Sequence, residues 1–253
     1  MPVMLKRFTL AALMLLPAPL AAQEAEAETP PTADEPEHIP ETVDIVLDTT
    51  MGDITIALET ERAPITAGNF LRYVEEDRFD GTVFYRAMKV AWGEQPNGLI
   101  QGGTQWDPER ILPGIPHEPT TQTGLSHTRG ALSMAMNEPG TANGDFSIML
   151  GDQTGLDANP QATEPVWQSG YAVFGYVIDG MDVVQAIHAA PTDPDKGEGF
   201  MKGQMLAEPV VITEARVVGG QRPTKTSQIA LQSLNQKAEG PILTGCWMVQ
   251  FTA

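Results

Sequence analysis

From Val43 to Thr60, apolar and polar residues alternate on both sides of a Thr-Thr-Met-Gly-Asp stretch. Ile45 and Leu47 share one face of the first half; Ile54, Ile56 and Leu58 share one face of the second. A period of two around a short glycine-containing turn predicts a β-hairpin. The period then changes. Between Ala63 and Phe79, the residues Ile65, Phe70, Leu71, Tyr73 and Val74 recur near helical spacing, and Pro64 suits a first turn, so a helix is expected. Short strand patterns follow in GTVFYRAM, GLIQGG, GALSMAM, DFSIML, YAVFGYV and EPVVITEARVV, mostly separated by Gly, Pro, Asn and Asp. Met181, Val184 and Ile187 mark a second helix. Many short strands and two helices predict a mainly β chain, an antiparallel barrel with a helix over each end.

The flanks of this pattern read differently. Lys6 and Arg7 precede the apolar run Phe8–Leu16; Pro-Ala-Pro and then Ala21 and Ala22 follow. A charged head, a short apolar middle and small residues predict a secretory signal over residues 1–22. The run is shorter than the ~20 apolar residues a membrane span needs. Residues 23–42 are rich in Glu, Pro, Ala and Thr with almost no large apolar side chains, so they read as a disordered acidic linker. The patterned domain covers residues 43–218. Residues 219–253 form a C-terminal extension with a polar stretch and the apolar end PILTGCWMVQFTA, and they carry no functional signal.

Composition removes several function classes. Thirty-three acidic against fifteen basic residues give a net charge of −18. Such a surface repels the phosphates of nucleic acid and anionic membranes. The one cysteine, Cys246, permits no internal disulfide, and the scattered histidines His38, His117, His127 and His188 do not match zinc-ligand spacing. No metal and no cofactor are expected.

Two polar residues stand out within otherwise core-bound strands. Arg86 follows Val83, Phe84 and Tyr85, and Gln101 sits between Leu99-Ile100 and Gly102-Gly103. They read either as solvent-facing positions or as the polar groups of a pocket wall. Ser126-His127 with nearby acids raises a hydrolase triad, but no Gly-x-Ser-x-Gly elbow accompanies it. Met134, Met136 and Met149 fit a core.

At these residues the chain resembles the cyclophilin family of peptidyl-prolyl cis–trans isomerases, in particular its bacterial periplasmic branch. APITAGNFLRYV resembles the family's first helix, FDGTVFYRAM the strand with its arginine, and LIQGG its glutamine motif. HTRGALSMAM and GYAVFGYVIDGMDVV follow in the family order. The resemblance implies an eight-stranded antiparallel closed β-barrel capped by two α-helices over residues 43–218. It also implies rotation about X–Pro bonds, with Arg86 as catalytic arginine and Gln101 as the amide that holds peptide backbone. Leu99, Ala135, Phe146, Leu156 and Tyr171 fall on positions along the bound peptide, and Tyr85 and Met136 join the substrate-binding set. Asp145 and Ser147 replace a family glutamine and the phenylalanine that floors the proline pocket. Asp145 reads as a solvated turn acid or as a partner for Arg86. Gly155 stands where some members have tryptophan. The insertion KVAWGEQPN displaces another pocket phenylalanine, and Trp92 within it is a candidate replacement.

Breaking amide resonance costs about 18–20 kcal/mol, and a catalyst lowers that barrier by favouring the twisted amide over both planar forms. A fixed multi-donor cation beside an apolar seat can do this without nucleophile or cofactor. The sequence therefore predicts a periplasmic or secreted prolyl isomerase acting on proline-containing polypeptides. It is expected to be a monomer, with no nucleic-acid partner and no stable membrane insertion after signal cleavage. The thinned pocket keeps open a second reading, a proline-peptide binding or chaperone module with weakened catalysis. A third is an envelope scaffold built on the linker and tail.

Overall fold

The computed structural model describes residues 40–219. The expected signal segment, most of the expected linker and the C-terminal extension beyond Gly219 lie outside the described residues. Eight strands close into one antiparallel barrel: β1 (Val43–Thr49), β2 (Gly52–Leu58), β3 (Val83–Lys89), β4 (Gly98–Gly103), β5 (Ala131–Met134), β6 (Asp145–Met149), β7 (Val173–Asp179) and β8 (Met205–Val217). Around the wall the order is β1-β2-β7-β5-β6-β4-β3-β8, and β8 pairs back to β1. Closure pairs every strand on both edges, which removes the exposed ladder of an open sheet.

Alternation decides what enters the barrel. Ile45, Leu47, Ile54, Ile56 and Leu58, the predicted inner face of the hairpin, are all fully buried. Two helices cap the barrel: α1 (Pro64–Glu75) packs on β7 and β8, and α4 (Met181–Ala189) packs on β2, β3 and β4. From α1, Phe70 and Tyr73 reach inward to Phe79, Phe146 and Phe174, with ring centroids 4.7–5.1 Å apart for Phe70 and its three ring partners. Such offset and edge contacts are the preferred aromatic geometries.

The start of α1 is satisfied from a distance. Ala63 at the N-cap has no side-chain oxygen. Instead the buried Glu118 accepts hydrogen bonds from the N–H groups of Ile65 (3.1 Å) and Thr66 (2.6 Å) and from the Thr66 hydroxyl (2.6 Å). Two short helices, α2 (Thr120–Thr123) and α3 (Pro165–Ser169), are too brief to show an amphipathic period in the sequence. Strand β8 begins earlier than its alternating pattern, because Met205–Pro209 interrupts the period and its register on β3 jumps from Val210 to Met205.

Candidate functional site

The site begins with a bulge in β3. Pairing with β4 runs from Phe84 opposite Gly102 directly to Arg86 opposite Gln101, so Tyr85 is an extra residue in the ladder. A bulge re-aims side chains, and here two chain neighbours, Tyr85 and Arg86, both line one groove of about 660 Å3. On β4 the paired glycines have separate reasons. A Cβ on Gly102 would come within 2.7 Å of the Phe84 ring, and Gly103 has φ +126° with Gly144 O only 2.2 Å from where a Cβ would sit. LIQGG thus brings β4 close to both neighbouring strands while Gln101 faces the groove.

Arg86 is held rigidly. Its Nη1 donates to Gln101 Oε1 (2.8 Å), and its Nε and Nη2 both donate to Gln204 Oε1 (2.9 and 2.7 Å). Nη2 also leans on Met88 Sδ at 3.6 Å. Five N–H donors are available on a guanidinium; one on Nη1 keeps no partner among the described residues. Burial lowers the pKa of the group from its ordinary value, and an arginine still stays charged at any physiological pH. Because Gln101 Oε1 is taken by Arg86, the Gln101 amide nitrogen is left as the donor for a ligand.

A polar row continues across the wall. Gln101 lies opposite Ser147 on β6, and Ser147 lies opposite Ser133 on β5. Both serines are more than nine-tenths buried and line the groove. The Ser147 hydroxyl has no hydrogen bond among the described residues. Ser133 Oγ lies 2.9 Å from His127 Nε2, and His127 Nδ1 lies 2.5 Å from Asp157 Oδ1. Burial lowers the His127 pKa against the opposing pull of Asp157. The carboxylate fixes the proton on Nδ1, so Nε2 accepts the Ser133 hydroxyl proton. Ser126 Oγ donates to Asp157 and not to His127. The N–H groups of Met134 and Ala135, which follow this serine, are bonded to Ala172 O and Asp145 O and so are not free to serve as oxyanion donors.

Of the remaining predicted residues, Leu99, Ala135, Met136, Leu156 and Tyr171 all border the groove. Phe146 does not. It is fully buried and packs edge-on against Phe70, Phe79 and Phe84. Its place in the substrate-binding set is corrected by strand alternation: Asp145 and Ser147 face the groove, so the residue between them faces the barrel interior. Trp92 is also elsewhere. It is exposed and lines a separate cavity with Gln95, Arg129 and Asp152.

Asp145 fits neither of its two expected roles. It is buried, and Arg86 bonds to glutamines instead. Asp145 Oδ1 accepts the Gln105 N–H at 2.9 Å, while Oδ2 has no hydrogen-bond partner among the described residues. Burial raises its pKa, opposed by the backbone N–H groups of Gln105 and Trp106. The facing Tyr85 phenol is pushed up as well, by burial first and by the Asp145 charge second. Several residues of the site escaped the sequence reading: Gln204, which clasps Arg86, and the groove residues Ser133, Trp106, Trp167 and Phe200. Gln204, Trp106, Trp167 and Phe200 come from loops, a short turn or a short helix, where no period marks a facing direction; Ser133 lies in strand β5, in a motif already singled out.

The family model for cyclophilin type peptidyl-prolyl cis-trans isomerases matches residues 42–217. A peptidyl-prolyl cis-trans isomerase of Acinetobacter baylyi is 37% identical over 150 residues, covering 58% of this chain and 73% of its own. An isomerase of Streptomyces antibioticus is 33% identical over 179 residues, covering 69% of this chain and 98% of its own. A cyclophilin type isomerase of Cryptosporidium parvum, crystallised in the presence of the dipeptide Ala-Pro, has the same fold, with a TM-score of 0.52 at 21% identity over 69% of this chain and 98% of its own. The match spans the whole barrel, from the strand before the first turn to the last paired residue of β8, and on that ground this chain belongs to the cyclophilin-type peptidyl-prolyl cis-trans isomerases.

Proposed function

We propose that this protein accelerates X–Pro rotation in polypeptides of the periplasm or of the secreted pool, after removal of its signal segment. One observation carries the reading: the Arg86 guanidinium sits in the groove wall, fixed by Gln101 at 2.8 Å and by Gln204 at 2.7 Å, with an Nη1 donor to spare. The signal-like N-terminus supports the compartment. The groove is complete within one chain, which supports action as a monomer.

The mechanism follows from the donors. A prolyl ring enters between Leu99, Met136 and Leu156, and the Gln101 amide nitrogen donates to a substrate carbonyl, fixing the chain on one side of the X–Pro bond. As the bond twists, resonance is lost and the prolyl nitrogen regains a lone pair. The spare Arg86 N–H donates to that lone pair. Planar amide offers no such acceptor, so the interaction favours the transition state selectively. The glutamine clasp means that no reorganisation of the guanidinium is required.

A protease-coupled assay on a proline tetrapeptide tests this. The wild-type protein is expected to accelerate isomerisation, and Arg86→Ala to lower kcat/KM by about 10²–10³, the usual loss for one stabilising donor, with an unchanged melting temperature. A folded Arg86→Ala protein with wild-type turnover would overturn the assignment.

The hydroxyls of Ser133 and Ser147 favour the second reading to a degree. They make the seat more polar and weaken its grip on a ring. In that case, the wild-type protein binds the tetrapeptide without accelerating it.

A further inference from the structure

Single exposed apolar side chains are ordinary on any surface; their concentration at one place is informative. Among the described residues, four aromatic side chains are counted as exposed: Trp92, Trp106, Trp167 and Phe200. Three of the four, Trp106, Trp167 and Phe200, line the groove that holds Arg86. They arrive from three segments far apart in the chain: the loop after β4, helix α3, and the turn Gly199–Met201 before β8. Their exposures are 47%, 38% and 77%.

One of these rings is held in place at a cost to the chain, and a second is tied to Arg86. Gln105 and Trp106 are consecutive non-glycine residues with φ +50° and +61°. For a residue as bulky as tryptophan this left-handed backbone is an outlier, and such strain persists only where surrounding structure enforces it. The enforcement is visible. The buried Asp145 carboxylate accepts the Gln105 N–H at 2.9 Å, one residue before Trp106 in the strained pair. Phe200, the most exposed of the three, lies over Arg86, with Cζ 5.4 Å from the ring centroid. Gln204 ties the two together, since its Oε1 holds Arg86 and its Nε2 donates to Phe200 O at 2.7 Å. The rim is therefore continuous with the group that would meet the prolyl nitrogen.

We propose that Trp106, Trp167 and Phe200 form an aromatic rim that grips large apolar side chains flanking the proline, so that the substrates are extended, unfolded segments with apolar residues around X–Pro. This rests on the isomerase reading for the position of the proline. Asp145 is then a positioning residue: it displays Trp106 through the backbone turn that it holds. Rigid, amphipathic rings suit this task because they offer large contact area at small entropic cost. Aromatic–apolar contacts of this kind are also indifferent to the exact flanking sequence, as a folding catalyst requires.

The test uses the full chain and two sets of peptides of equal length with the same X–Pro core, one flanked by Leu and Phe, the other by Ser and Gly. The apolar set is expected to show a KM lower by about tenfold, on the scale of one or two aromatic contacts, with similar kcat. Trp106→Ala and Phe200→Ala should each shrink that preference, and Trp106→Phe should keep most of it. Asp145→Ala should shrink it in the wild-type background and add nothing in the Trp106→Ala background, a pattern that a merely structural role would not produce. Equal KM for the two sets in the wild-type protein overturns the proposal. Tryptophan fluorescence separates its failure from that of the isomerase reading. If neither set is turned over, tighter quenching by the apolar set still supports the rim, and equal dissociation constants refute it.

Discussion

A buried hydroxyl, that of Ser147, lines the groove in which the proposed isomerase reading seats the prolyl ring. Ser147 lies between Gln101 and Ser133 in the ladder, more than nine-tenths buried and without a hydrogen-bond partner among the described residues. A proline ring seated there covers that hydroxyl and offers it no acceptor in return. Ser147→Phe replaces an unmet polar group with ring surface inside a groove of about 660 Å3. A tenfold rise in kcat/KM corresponds to about 1.4 kcal/mol, within what burial of a large apolar side chain provides. We expect a rise of about that size in the tetrapeptide assay; an unchanged or lower value would show that the serine does not limit the seat. At this scale the sequence was informative where a residue sat in a patterned strand. Arg86 and Gln101 were legible as an oddity, a cation and an amide in apolar runs. Gln204, Trp106 and Phe200 were not, since a loop residue's neighbours do not reveal which way it points.

Elements inherit their ends from other elements. Helix α1 has an apolar stripe that the sequence displays openly, yet its N-terminus depends on Glu118, more than fifty residues away. Glu118→Ala leaves the buried N–H and hydroxyl of Thr66 and the part-buried N–H of Ile65 unmet. One unsatisfied buried group costs about 1–3 kcal/mol, so the urea midpoint should fall by a corresponding amount with the slope unchanged. A shift within error would mean that water or another side chain takes over the cap. The bulge in β3 teaches the same lesson. The alternation of Val83–Lys89 announces a strand, but strict alternation would set Tyr85 and Arg86 on opposite faces. Only pairing with Gly102 and Gln101 brings both into the groove. The same alternation, correctly applied to β6, excludes Phe146 from the groove, whereas a motif comparison alone had included it.

The whole barrel has a pH response set by what it buries. Burial lowers the pKa of His127 and His188 from the ordinary 6.5. As pH falls below 6.5, the unfolded chain takes up these protons before the folded one does. Stability present above that value is therefore lost on acidification toward the lowered folded values. Asp145, raised by burial, acts in the opposite sense: its contribution is greatest at low pH and declines as pH rises from 3.8 through its folded pKa. Urea unfolding should show a lower midpoint at about pH 5.5 than at about pH 7.5, the range in which histidine charge changes. The imidazole NMR signals of His127 and His188 should titrate below the ordinary value. An equal or higher midpoint at the acidic pH, with both histidines titrating normally, would contradict the assignment. By itself, the sequence determined the strands and the two capping helices, the inner face of the hairpin, the inward residues Phe70, Tyr73 and Val74 of α1 though not Ile65, which is exposed, and the presence of an odd cation and an odd amide in apolar runs. These depend on local period and on residue type, which are properties of adjacent positions. Tertiary structure alone decided the bulge that turns Tyr85 and Arg86 to one side, the distant cap on α1, the clasp of Gln204 on Arg86 and the meeting of three aromatic rings at one rim. Each of those needs side chains far apart in the chain to come within a few ångströms, and only closure of the barrel sets such distances.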